Sequence, residues 1–163
     1  MQFGSIESGD LFRSLSNLYP SPIGQSAKKG FSENTKYILS ECKRLCKDKI
    51  LKSIIETGEL KTEKLIKKAS IDCIESGVDF IKTSTGKTKV GATMDATSII
   101  LELIKEKTKL NVGFKASGGI KDYSTASEYL TLTEKICGVK YINSKTFRFG
   151  ASDLFNNLLT LKA

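Results

Sequence analysis

DFIKTSTGK, residues 79–87, decides how the chain is read: a short β-type run carries a lysine, Lys82, and ends in a glycine turn. An ammonium group within an apolar strand is costly unless the fold uses it. Further on, NVGFKASGGIK (residues 111–121) repeats the arrangement around Lys115. The two lysines are the strongest pointer to chemistry in the chain.

Working outward, similar β-type runs occur at residues 52–56 (KSIIE) and 139–143 (VKYIN). The four runs start about thirty residues apart, the rhythm of βα units in a parallel sheet. Between them lie stretches with i, i+3, i+4 apolar spacing. Residues 62–76 place Leu65, Ile66, Ala69 and Cys73 on one face; residues 93–107 do so with Ala96, Ile99, Ile100, Leu103 and Ile104; residues 124–136 with Ala126, Tyr129, Leu130 and Leu132. Each is expected to bury one side of a helix on the sheet. Residues 37–46 have helical spacing as well. Residues 1–35, rich in Ser, Gly, Asn and Pro, are expected to form an irregular leader, and residues 36–163 the organised domain.

At 163 residues, 39% hydrophobic and 27% charged, the chain has the composition of one globular domain. It has no apolar run of membrane-spanning length, and its first residues lack the layout of a secretory signal, so a cytoplasmic setting is expected. Cys42, Cys46, Cys73 and Cys137 include no Cys-x-x-Cys pair, and there is no histidine; reduced thiols rather than a zinc site are expected, and no cofactor. Acid–base work falls to lysine, carboxylate, tyrosine or water. The net charge of +8 suits either nucleic acid or a small phosphorylated substrate. The basic residues are scattered, without an aromatic stacking segment between them, which argues against nucleic acid.

In a βα array the ligand face lies at the C-terminal ends of the strands. Glu56, Lys82 and Lys115 all fall there. Alternation aligns Phe80, Lys82 and Ser84 on one face of their strand, and Gly113, Lys115 and Ser117 on one face of theirs. If both faces point inward, two charges about 6 Å apart at an effective dielectric of about 20 repel by roughly 3 kcal/mol, which favours loss of one proton. A neutral lysine amine attacks a carbonyl to give a Schiff base. Equally, each lysine could pair with Glu56 or another carboxylate, or face solvent. The turns at Gly86-Lys87, Gly118-Gly119 and Gly150-Ala151-Ser152 each follow a strand-like run or motif and suit a phosphate cradle.

These segments carry a resemblance. IIETGEL (residues 54–60), DFIKTSTGK, VGFKASGGI (residues 112–120) and FRFGAS (residues 147–152) occur in the order and spacing of the C-terminal half of deoxyribose-phosphate aldolase, a class I aldolase family built as a (β/α)8 barrel. The resemblance implies an α/β fold, a partial barrel of about four C-terminal βα units. It also implies Schiff-base cleavage of 2-deoxy-D-ribose 5-phosphate to glyceraldehyde 3-phosphate and acetaldehyde in deoxyribonucleotide catabolism. By it, Lys82 forms the Schiff base and Lys115 tunes its protonation. Gly86, Lys87, Gly118, Gly119, Gly150 and Ser152 would hold the substrate phosphate. The family's EVD-type strand motif, whose aspartate relays protons with a water, is absent, and Asp153 stands where a second serine is common. Half a barrel leaves two sheet edges, which a second copy of the chain could close. A truncated, catalytically impaired fragment and a non-catalytic binding module are the alternatives.

Overall fold

The computed structural model describes residues 32–109 and 111–160. In chain order the elements are α1 (Ser32–Cys46), β1 (Lys52–Ile54), the single turn α2 (Thr57–Leu60), α3 (Glu63–Glu75), β2 (Phe80–Lys82), α4 (Met94–Thr108), β3 (Gly113–Ser117), α5 (Tyr123–Cys137), β4 (Phe147–Gly150) and α6 (Ser152–Thr160). The expected leader, residues 1–35, falls outside the described residues except for its last four, which open α1.

The four strands form one parallel sheet in the order β1-β2-β3-β4. Outside it the helices pack in sequence, α1 on α3, α3 on α4, α4 on α5 and α5 on α6. Parallel strands need crossovers long enough to hold a helix, so this layering follows from the βα rhythm. The register makes Ser53, Ile81, Phe114 and Phe147 one cross-sheet row, and Ala116 with Phe149 another. Those rows face the helices, where Ile81, Phe114 and Ala116 are wholly buried with Ile100, Leu101, Ile104, Ala69 and Cys73. Burial also pushes the Cys73 thiol up to about 12, in keeping with an inert core position.

The helix starts are set by side chains that satisfy otherwise orphaned backbone N–H groups. Thr62 accepts from the Leu65 N–H at α3, Thr93 from Ala96 at α4 and Asp122 from Thr125 at α5. At the other end of the sheet, Asp79 accepts the Leu51 N–H at 2.7 Å and pairs with Lys43, tying α1 and the start of β1 to the start of β2.

One expected strand is not one. Residues 139–143 form a 3-10 turn, Val139–Tyr141, and β4 begins only at Phe147. The alternation of VKYIN imitates a strand, but Tyr141 is buried with its hydroxyl donating to the Val112 carbonyl, while the Thr146 hydroxyl donates to the Tyr141 carbonyl and closes the turn.

Candidate active site

The register aligns Ile54, Lys82, Lys115 and Arg148 in a single row across the sheet, on the face away from the helices. Lys82 and Lys115 are direct partners on neighbouring strands, whose backbones run about 4.8 Å apart. The register makes them partners, and the period-2 pleat sets the shared face: Phe80 and Lys82 lie on one face of β2, and Gly113, Lys115 and Ser117 on that face of β3. Both lysines are partly exposed, whereas the opposite face of the same strands is buried.

Small residues make room for the long side chains. A Cβ on Gly150 would lie 2.9 Å from Lys115 Cε and 2.6 Å from Ser117 Oγ, so the arm of Lys115 runs over a bare stretch of β4. A Cβ on Gly113 would lie 2.5 Å from the Phe80 ring. That ring is capped by the Arg148 guanidinium, with Cζ 4.4 Å from its centroid, a cation–π contact that pins Arg148 beside the lysine row. Arg148 was not among the expected site residues; the signal was the alternation in FRFG once that run is read as a strand.

The C-terminal edge of the sheet is laced by short polar side chains. The Thr83 hydroxyl donates to the Ser117 carbonyl and accepts the Ser117 N–H at 3.0 Å. The Ser84 hydroxyl donates to the same carbonyl, and the Ser117 hydroxyl donates to the Gly150 carbonyl. Above this edge two glycine turns meet: Gly118 has φ 89°, and a Cβ there would sit 2.9 Å from the Gly91 Cα and 3.6 Å from the Gly86 Cα. Gly86 and Gly119 also have positive φ, 81° and 86°. Gly86, Gly118 and Gly150 thus gather near the lysine row. Lys87 and Gly119 are exposed beside them, and Ser152 opens α6, where Asp153 lies in the first turn and is exposed to solvent.

Glu56 was expected to be a possible lysine partner. It is 5% exposed, and its carboxylate accepts the Thr85 N–H at 3.1 and 3.3 Å and the Thr88 hydroxyl at 3.0 Å. Its backbone is left-handed (φ 54°, ψ 64°), a conformation that costs a non-glycine residue about 1 kcal/mol or more.

The arrangement offers two ammonium groups and a guanidinium in one row, next to glycine turns with exposed backbone. Chemically it suits an anionic ligand. Among the described residues, no helix is long and apolar enough to cross a membrane.

Known proteins resemble the chain in both sequence and fold. The sequence profile of the DeoC/LacD family aldolases matches residues 26–132. A Toxoplasma gondii protein provisionally named a deoxyribose-phosphate aldolase superposes with a TM-score of 0.72 at 27% identity, covering 80% of this chain and 50% of its own. A structure described as an aldolase gives 0.64 at 30% identity, covering 85% and 56%. The fold of a tetrameric deoxyribose phosphate aldolase from Aeropyrum pernix matches at 0.61 with 23% identity, covering 81% and 50%. The chain therefore spans about half the length of the solved structures it matches, and its four parallel βα units are an α/β fold of part of their barrel.

Proposed function

The chain belongs to the DeoC/LacD family of aldolases, and we propose that it carries the lysine-bearing half of a class I aldolase site for 2-deoxy-D-ribose 5-phosphate, in cytoplasmic deoxyribonucleotide catabolism. The observation that carries this reading is the direct pairing of Lys82 with Lys115 beneath the Gly86 and Gly118 turns.

In this reading the Lys82 amine adds to the C1 aldehyde of the open-chain sugar, and loss of water gives the protonated imine. The imine draws in the electron pair of the C2–C3 bond as the C3 hydroxyl loses its proton, and glyceraldehyde 3-phosphate leaves. The remaining enamine takes a proton at C2, and hydrolysis releases acetaldehyde and the free amine. Lys115, one strand away, would tune the reactivity of the Lys82 amine, the role that the family resemblance implies for it. Gly86, Lys87, Gly118, Gly119, Gly150 and Ser152 would bind the phosphate, with Arg148 adding charge. The family's aspartate relay has no EVD-type motif to supply it in this sequence, which leaves the C3 proton to water.

A complete barrel needs further strands, and a second copy of the chain is the partner this reading names. β1 and β4 are parallel, so a twofold axis along the barrel would set each β4 beside the other copy's β1 and close eight strands. Among the described residues, six of the ten large exposed apolar side chains lie on α1 and α6: Tyr37, Ile38 and Leu45 on α1, and Phe155, Leu158 and Leu159 on α6. Closure would bring those two helices together.

Turnover is tested by coupling release of glyceraldehyde 3-phosphate to its reduction. The reading expects activity in the wild type that Lys82→Met abolishes; activity surviving in Lys82→Met removes the Schiff-base assignment. A phosphate-binding module without catalysis is the second reading, favoured by the missing EVD-type motif, and it expects phosphate binding with no turnover.

A further inference from the structure

We propose that Glu56 is a positioning residue, a buried clamp that fixes the loop of residues 84–92 and so sets the phosphate specificity of the site; the specificity half of this rests on the functional reading above. Three independent features of the fold converge on it. The first is a bulge. The Ile55 N–H donates to the Lys82 carbonyl and the Thr57 N–H to the Thr83 carbonyl, so donors two residues apart on one strand find acceptors one residue apart on the next. Glu56 is the extra residue, and a bulge re-aims its side chain.

The second is the direction of that aim. The Glu56 carboxylate accepts the Thr85 N–H and the Thr88 hydroxyl, gripping the loop on both sides of Gly86 and Lys87. The Thr88 hydroxyl also lies 3.1 Å from the Val90 carbonyl, so its single proton is shared between that carbonyl and the Glu56 carboxylate. The third is close packing at the far end. A Cβ on Gly58 would fall 2.3 Å from the Val90 carbonyl oxygen, and one on Gly91 would fall 2.5 Å from the Gly118 carbonyl oxygen, so the loop is pressed onto α2 and onto the β3 turn. A left-handed, non-glycine backbone persists where surrounding structure over-determines it, and such positions cluster at functional sites. At Glu56 the over-determination is a carboxylate holding a loop that begins just past Lys82.

Glycine adopts φ 54° without strain, so Glu56→Gly leaves the left-handed backbone accessible while removing the whole side chain, carboxylate included. Hydrogen–deuterium exchange of the full-length chain reads the clamp directly. In Glu56→Gly, amides of residues 84–92 are expected to exchange about tenfold faster than in the wild type, with the β2–β3 ladder little changed. Thr88→Val, which removes one donor and leaves Glu56 in place, should move the same amides in the same direction. Inorganic phosphate should bind about tenfold more weakly to Glu56→Gly, and KM for the phosphorylated sugar should rise more than kcat falls.

Unchanged exchange of residues 84–92 in both variants would overturn the clamp, as would a loss of protection spread evenly through the sheet. Wild-type protein that binds no phosphate would bring down the functional reading and the specificity half of the proposal, while the exchange measurement still decides the clamp.

Discussion

Lys82 and Lys115 illustrate how far a single residue can be read from its neighbours in sequence. The cost of a charge in an apolar strand singled them out, and period-2 alternation put each on a definite face of its own strand. Which residue faces which across strands is a matter of register, and only the fold supplies it: Lys82 opposite Lys115, and Lys115 opposite Arg148. Glu56 shows the opposite case, because nothing in IIETGEL announces a left-handed backbone at a non-glycine residue. The glycines are testable at the same scale. Gly118→Ala would force a side chain into a positive-φ position and against the Gly91 backbone, and it is expected to cost about 1–3 kcal/mol in urea unfolding. Thr97→Val should do the reverse. The Thr97 hydroxyl is buried with no hydrogen-bond partner among the described residues, so a methyl of the same shape is expected to be neutral or to stabilise by about 1 kcal/mol in the same assay.

At the scale of elements, the helices were legible because burial of one face and a capping residue both leave marks in sequence. α3, α4 and α5 lie within about a residue of the apolar stripes at residues 62–76, 93–107 and 124–136. Short strands leave weaker marks. VKYIN alternates as well as FRFG does, and what separates them is the buried Tyr141 hydroxyl reaching Val112, a tertiary bond invisible to local pattern. The cap of α5 also carries a pH signature. The Thr125 backbone N–H holds the Asp122 carboxyl below its ordinary value. A carboxylate depressed by folding contributes stability above its unfolded pKa of about 3.9, and that contribution is lost as pH falls through the folded value. Thermal melts of wild type and Asp122→Asn should therefore differ near neutral pH in favour of the aspartate, and the gap should close in acid; a gap that widens on acidification would contradict the cap assignment.

At the scale of the whole molecule, the described sheet and its helix layer form one continuous stack that runs from β1 with α1 to β4 with α6. Within the described residues β1 and β4 each pair with one strand only, and the helices beside those ends expose Tyr37, Leu45, Phe155 and Leu159. The βα rhythm of the sequence pointed to parallel βα units and the family resemblance to half a barrel, but neither carried a mark of what completes it, since exposed apolar residues on an amphipathic helix look like core until the packing is known. Pairing of two copies predicts a solution mass twice that of one chain by light scattering, and Phe155→Lys on α6 should shift it toward the monomer. The central claim is that the paired lysines form a Schiff-base site, and borohydride trapping reads it most directly. Incubation with 2-deoxyribose 5-phosphate and borohydride, followed by peptide mapping, should place a stable adduct on Lys82, much reduced in Lys115→Met. An adduct on other lysines alone, or none at all, would contradict it.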